Sequence, residues 1–283
     1  YEPGVTHPQI AAIESFALSP WPTWRYRLAN GAQVWAEILC TSERARTLLC
    51  WTHVGSSPVA RLRVRPLLAS RDYHSMQHEN AGVRTTAGVD GACVTWRLYD
   101  GAPEVTCVAN GTWTAEPEWY RQFLYQAERE RGLDAVEDLF ALGSLEFDLS
   151  AGPAVMAIGD PAALSDLGGA DLVASVATVC ERERTRRLAL GGPIERAADQ
   201  YLVRRGIGRT LVAGYPWFTD WGRDTFIALR GLCLATGRID VAYTPACASV
   251  NHTIYYGPLG GVSAYNYTGA VCSLGTSGSA SFT

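Results

Sequence analysis

Lysine is absent from this chain of 283 residues: all 24 basic side chains are arginine. With 28 acidic residues the net charge is -4, and the isoelectric point lies near 5.8. That balance excludes the basic stripe of a nucleic-acid binder. Long apolar runs are also missing, so nothing here has the length and composition of a bilayer span. The eight cysteines (Cys40, Cys50, Cys93, Cys107, Cys180, Cys233, Cys247 and Cys272) form no C-x-x-C pair, and the five histidines form no H-E-x-x-H motif. The cysteines therefore read as ordinary buried thiols, and the expectation is a reduced, cytoplasmic protein with no metal and no cofactor. No secretory signal pattern opens the chain, but Tyr1 is not a start methionine, so the true N-terminus is expected to lie upstream.

What is present changes character along the chain. "TWRYRLANGAQVWAEIL" (23–39) holds two alternating runs around Asn30-Gly31, which predicts a hairpin. "ARLRVRP" (60–66) alternates Arg with Leu62 and Val64, as a strand with one wet face does. "CVTWRLYDGAPEVTCVA" (93–109) turns at Asp100-Gly101, and "SLEFDLSAGPAVMAIG" (144–159) predicts two short strands around Ala151-Gly152-Pro153. Strands at this spacing imply a β-sandwich, because each sheet needs a second layer over its apolar face. From about residue 160 the pattern is helical. A helix over 194–205 would place Ile194, Ala197, Ala198, Tyr201 and Leu202 on one face. Another would start at Asp224 or Thr225 and run to Thr236, with Phe226, Leu229 and Cys233 inward and Gly237 as its C-cap.

"AGYPWFTDWGRDTFIAL" (213–229) sets Tyr215, Trp217, Phe218 and Trp221 beside Asp220, Arg223 and Asp224. Read as structure, Asp224 caps a helix, Arg223 pairs with a carboxylate and the rings fill a seam. Read as function, the stretch is a sugar subsite. An adjacent Arg and Asp can donate to and accept from neighbouring hydroxyls of one pyranose. Flat rings cover its C–H face and exclude water. The density of rings beside charges favours the second reading.

"AADQYLV" and "TLVAGYPWFTDWGRDTFIALRGLCLATGR" resemble the start of the glucosidase domain of glycogen debranching enzymes, the amylo-α-1,6-glucosidase family. Upstream, "RPLLASRDYHSM" (65–76), "WYRQFLYQAERERGLDAVEDLF" (119–140) and "LEFDL" resemble that family's N-terminal domain. The resemblance spans roughly residues 20–240. It implies a two-domain β + α chain in which an N-terminal β-sandwich precedes the first helices of an (α/α)6 toroid. The expected division is 1–165 for the sandwich, 166–240 for the start of the glucosidase domain and 241–283 for an atypical tail. By the same resemblance Arg223 and Asp224 match the pair that holds the non-reducing glucose in the −1 subsite. Tyr215, Trp217, Asp220 and Trp221 complete the expected substrate-binding set. The partner implied is a branched α-glucan, glycogen or limit dextrin, with neither nucleic acid nor membrane.

Arg71, Asp72 and His74 either reach over a glucosidase pocket or form a hydrogen-bonded turn. Glu128, Arg131, Asp134, Glu137 and Asp138 have the spacing of a solvated helix face, which the family resemblance turns into a structured charged loop. Glycoside hydrolysis generally needs two carboxylates, and in this fold they come from later loops. Asp220 and Asp224 are too close in sequence to be that pair, so the acid and base are expected to be absent from this chain, which reads as a truncated and inactive fragment. All charged residues lie within 1–240, and 241–283 has none. A shift of reading frame near residue 241 is one account of that tail. The other is a genuine Gly/Ser/Thr-rich segment. The function expected is hydrolysis of α-1,6 branch stubs with release of glucose. Two alternatives stand beside it: a non-catalytic glucan-binding sandwich module, and another glucosidase of the same toroid superfamily.

Overall fold

The computed structural model describes residues 11–55, 61–72, 75–167, 171–205, 208–215, 218–233, 241–243, 254–256, 269–271 and 278–280. The chain divides into two compact units, 1–186 and 187–283. The first begins with strands β1 (Ala11–Ala17), β2 (Thr23–Leu28), β3 (Gln33–Cys40), β4 (Arg46–Val54) and β5 (Arg61–Val64). β6 (Gly88–Asp90), β7 (Cys93–Trp96), β8 (Val105–Ala109) and β9 (Thr112–Leu124) follow. A short helix α1 (Gln126–Glu130) precedes β10 (Val136–Asp148) and β11 (Ala154–Gly159). Helices α2 (Pro161–Leu164) and α3 (Leu172–Ala189) come last, joined by a 3-10 turn at Ser165–Leu167.

The sheets are unequal. Among the described residues one has eight strands in the order β1-β2-β3-β4-β11-β8-β7-β6, and the other has three, β5-β10-β9. Their facing sides share one core: Val34, Val94, Trp96, Cys107, Ala154 and Met156 from the wide sheet meet Phe140, Leu142, Leu145 and Phe147 from β10. The opposite face of the wide sheet is covered by helices. Leu39, Leu48, Cys50, Val155 and Ala157 pack there against Leu164, Leu167, Val176 and Val179. The unit is therefore sheet on sheet on helix, a sandwich with a helical third layer.

The turn residues made this arrangement readable. β2 and β3 pair across Asn30-Gly31, with Gly31 at φ 82°, a left-handed conformation that favours glycine. β7 and β8 pair across Asp100-Gly101 in the same way. The Ala151-Gly152-Pro153 turn behaves differently, because β10 and β11 do not pair with each other. β10 lies between β5 and β9, whereas β11 lies between β4 and β8. This turn carries the chain from one sheet to the other. Asp148 accepts the Ser150 N–H at 2.9 Å. Asn110 fastens the far side by accepting from Val155 N (2.8 Å) and donating to Pro153 O (2.9 Å).

α2 opens with Asp160 accepting the Ala163 N–H at 2.8 Å and Pro161 at the first helical position. Beneath it Arg46, 3% exposed, donates to Ala163 O at 3.0 Å and forks onto both oxygens of Asp166. Among the described residues the wide sheet ends at β1, which has β2 as its neighbour and carries a register shift between Ile13 and Ser15. Glu14, inside that irregularity, pairs with Arg27 and accepts from Gln33 Nε2 at 2.8 Å. Among the described residues no single helix is long and apolar enough to cross a membrane.

The second unit holds α4 (Pro193–Tyr201), β12 (Leu202–Arg205), β13 (Gly208–Gly214), β14 (Phe218–Asp220) and α5 (Gly222–Leu232). Four short strands follow: β15 (Val241–Tyr243), β16 (Ile254–Tyr256), β17 (Gly269–Val271) and β18 (Gly278–Ala280). They pair as β15 with β18 and β16 with β17. The helix expected over 194–205 ends at Tyr201, because Leu202 to Arg205 pair antiparallel with Leu211 to Gly208. Its first face residue is not inward either, since Ile194 is 82% exposed. α5 begins at Gly222 rather than at Asp224, and Phe226 is exposed where an inward position was expected. Leu202, Leu211 and Cys233 form the small core beneath it, joined by Leu229. The helix expected to run to Thr236 ends instead at Leu232, with Cys233 at its C-cap and its N–H on Leu229 O; Gly237 lies outside the described residues. The thiols also depart from expectation in part: Cys50, Cys107 and Cys233 are buried, but Cys40 is exposed.

Close approach within the narrow sheet gives the first prediction. A Cβ at Gly143 would fall on the Thr114 carbonyl oxygen and within 2.6 Å of Trp113 Cζ2. Backbone cannot retreat as a flexible side chain can. Gly143→Ala should cost about 1–3 kcal/mol, the usual penalty of overpacking. Urea unfolding checks this, and an unchanged midpoint would contradict it.

Candidate functional site

The stretch singled out in the sequence forms a hairpin that feeds a helix. β13 and β14 pair through Val212↔Asp220 and Gly214↔Phe218, which puts Tyr215 at the hairpin tip. Asp220 closes β14, Trp221 occupies the N-cap position of α5, and Arg223 and Asp224 lie in its first turn. Trp221 makes no side-chain cap, so Asp224 is not the N-cap that the structural reading made it. Its position still suits a carboxylate, because the helix N-terminus carries partial positive charge. The turn is held from below by Thr225, 3% exposed, whose backbone N–H donates to Trp221 O at 2.8 Å.

The rings face outward. Tyr215 is 53%, Phe218 53% and Trp221 57% exposed, whereas Trp21 and Trp96 in the first unit are 1% and 4%. A tryptophan left that open beside two other open rings is surface available for contact. Tyr215 is nonetheless oriented: its hydroxyl donates to Gln200 O at 3.0 Å, and its ring lies 5.9 Å from that of Tyr201. Asp220 accepts from the Thr210 hydroxyl at 3.1 Å, a partner that sequence reading missed. Arg223 and Asp224 are 3.3 Å apart with side chains 79% and 39% exposed. So weak and wet a pair is replaced at little cost by ligand hydroxyls. Trp217 lies outside the described residues.

A second constellation lies in the first unit. Arg71 does not project outward; it forks onto both carboxylate oxygens of Glu137, with the Nη2–Oε2 contact at 3.1 Å. Glu137, 1% exposed, also accepts from the Tyr125 hydroxyl at 2.6 Å and from Gln77 N at 3.1 Å. Its neighbour Asp138 accepts from Glu79 N (3.0 Å) and Gln122 N (2.9 Å), the latter in the left-handed region at φ 61°. Glu137 and Asp138 thus belong to strand β10, not to a charged loop or a solvated helix face. They hold the chain around Arg71, Gln77 and Glu79 against that strand, where Leu68 also exchanges backbone hydrogen bonds with Phe140. For Arg71 this is the hydrogen-bonded alternative. His74 lies outside the described residues.

Two family comparisons match the chain. Residues 1–156 match the family described as glycogen debranching enzyme N terminal. Residues 196–247 match amylo-alpha-1,6-glucosidase, a span that contains the hairpin, the Arg223-Asp224 pair and α5. The chain belongs to the glycogen debranching enzyme family. Comparison with curated proteins gives no match.

The buried carboxylate makes stability depend on pH. Burial pushes the Glu137 carboxyl up, but hydrogen bonds from Arg71, Tyr125 and Gln77 N–H outweigh it and hold the group below the usual range. A depressed folded value means the contribution is present above the unfolded pKa of about 4.3 and is lost as pH falls through the folded one. Glu137→Gln leaves Arg71 without its counter-ion. At pH 7 it should cost about 3 kcal/mol, the lower end for a broken buried pair because Arg71 is 23% exposed. The variant's melting temperature should also fall less steeply than the parent's below about pH 4. Parallel acid slopes would show that Glu137 does not bear that charge.

Proposed function

We propose that the chain carries part of an α-glucan debranching machinery and that Arg223 and Asp224 grip the terminal glucose of a branch stub. The observation that carries this reading is the placement of an exposed Arg-Asp pair in the first turn of α5, beside the open rings of Trp221, Phe218 and Tyr215. It lies inside the segment matched to the glucosidase family. One guanidinium and one carboxylate can bind vicinal hydroxyls by charge-assisted hydrogen bonds, while a ring covers the C–H face. Asp220, oriented by Thr210, is placed to accept from a further hydroxyl. The reaction served is hydrolysis of α-1,6-linked glucosyl stubs with release of glucose, the substrate being glycogen or limit dextrin in the cytoplasm. In this reading 1–165 is the family's N-terminal sandwich, 166–240 opens an (α/α)6 toroid, and Trp217 adds a further ring.

The carboxylates of this stretch serve binding, not proton transfer. An acid and a base act from opposite sides of the scissile bond, and in inverting enzymes they stand about 6.5–9.5 Å apart. Asp220 and Asp224 flank one strand-to-helix junction, where both serve one hydroxyl edge. Purified protein should therefore release no glucose above blank from limit dextrin. Turnover abolished by Asp220→Asn would instead make Asp220 the acid.

The grip itself is tested by affinity electrophoresis in glycogen-containing gels. Asp224→Ala should weaken retardation about tenfold or more, corresponding to the ~1.5–3 kcal/mol of a hydrogen bond to a charged group. Unaltered retardation in a folded Asp224→Ala variant would return that residue to a role at the helix end. A second reading, a glucan-binding sandwich module without catalysis, draws on the longer of the two matches, that over 1–156. Retardation that survives Asp224→Ala and Arg223→Ala together favours it.

A further inference from the structure

Two thiols meet between the wide sheet and its helical cover, and none of the chemistry above uses them. Cys50 lies on β4 directly opposite Glu37 of β3, on the face that also presents Leu39 and Leu48. Val176, Val179 and Glu183 are the buried residues of α3, and their spacing of three and four defines its inward stripe. Cys180, half-buried, adjoins that stripe and packs against the cluster that contains Cys50. The Cys50 thiol donates a hydrogen bond to the Cys180 sulfur. Strand and helix thus bring together two cysteines that stand far apart in the chain.

The two sulfurs are not equivalent. Holding its proton against Cys180, and buried besides, Cys50 is pushed well above the ordinary thiol range. Cys180 is held below that range, first by the hydrogen bond from Cys50 and then by the guanidinium groups of Arg184 and Arg46. Its own burial and Glu37 push the other way and do not prevail. These charges are fixed in place. Arg184 lies over the Trp21 ring at 4.7 Å, the Trp21 N–H donates to Glu37 at 2.9 Å, and Arg46 forks onto Asp166. A partly exposed sulfur with thiolate character beside cations is the setting of a reactive cysteine, whereas a thiol sunk in apolar surroundings is inert. Cys107 is the inert case: it is wholly buried, and burial pushes its thiol up to about 12.

We propose that Cys50 and Cys180 form a redox-sensitive clamp, which closes a disulfide between β4 and α3 when small-molecule disulfides of the glutathione class accumulate and opens when the corresponding thiols prevail. The Cys180 thiolate, its proton released to solvent, attacks one sulfur of the small disulfide. That S–S bond breaks, one small thiolate leaves, and a mixed disulfide remains on Cys180. Cys50 has then lost the partner against which it held its proton, and it gives that proton to the departing thiolate. The new Cys50 thiolate attacks the Cys180 sulfur and expels the second small thiolate, which takes up a proton from solvent. Two protein thiols are oxidised by two electrons, and one small disulfide is reduced to two thiols. Disulfides of reducing compartments are mostly of this transient, sensing kind. The helix so fastened is the one along which the chain leaves the first unit, at Arg186.

Peptide mapping of the folded full chain after incubation with oxidised glutathione, with free thiols capped by iodoacetamide, tests the proposal. A linked Cys50–Cys180 peptide pair, lighter by two hydrogens and separated again by dithiothreitol, is expected. Cys180 should react about tenfold faster or more than Cys107. Cys50→Ala should stop the reaction at the mixed disulfide on Cys180. Cys180→Ser should leave Cys50 reduced, a check at a half-buried position that stands if Cys50→Ala fails to fold. Hydrogen exchange over 172–189 should slow in the linked protein and return to the parent rate on reduction. Glutathione adducts on Cys180 without the linked peptide overturn the proposal, as does a Cys180 that stays reduced. Linkage of Cys180 to Cys40 or to another chain, in place of Cys50, overturns it as well.

Discussion

The first unit depends on one contact: the apolar side of β10 laid across the wide sheet. Phe140, Leu142, Leu145 and Phe147 come from that single strand, and the wide-sheet residues of the shared core pack against them. Truncating a buried Leu or Phe typically costs about 2–5 kcal/mol, so two of each along one strand make β10 the strand whose loss the sandwich cannot absorb. Its polar residues are placed with the same economy. Glu137 and Asp138 hold one flanking segment, and Ser144, wholly buried, donates to Glu116 at 3.2 Å. One strand thus supplies both the core and the anchors of the chain around it.

The turns of this fold were legible in the sequence, and its pairing partners much less so. Asn30-Gly31 and Asp100-Gly101 are local chemistry, and both hairpins closed where those residues stand. The Ala151-Gly152-Pro153 turn was equally visible, but its switch between sheets was not, because the partners of β10 and β11 lie far away in the chain. β9 and the start of β10 were hidden by their composition. β9 carries the charged Glu116, Glu118 and Arg121, and register shifts at Glu137/Leu139 and Ala141/Gly143 break the two-residue period. In the second unit Leu202 continued a helical pattern by spacing, yet pairing with Leu211 prevailed over local preference.

The candidate subsite was legible as a list of residue types but not as a surface. Sequence alone gave the rings and the charge pair of 213–229. It did not say that three rings would stand half open, that Tyr215 would be pinned through Gln200, or that Thr210 would hold Asp220. Exposure is set by what else packs nearby, and no local pattern encodes that. Glu137 marks the same limit from the other side. It sits among charged neighbours in sequence, and only the fold shows that it is buried with three donors around it.

The mismatch between eight strands and three has a cost at the margin. Among the described residues β1 ends the wide sheet, with Ile13 and Phe16 and, just past it, Leu18 all at least half exposed, which is the composition of a strand that recruits another chain. The irregularity at Ile13/Ser15 breaks the straight row of backbone donors and acceptors that such recruitment needs. Glu14, placed in that break and tethered to Arg27 and Gln33, would have to be desolvated before a foreign strand could dock. A single bulge and its carboxylate therefore work against edge-to-edge pairing along this apolar margin.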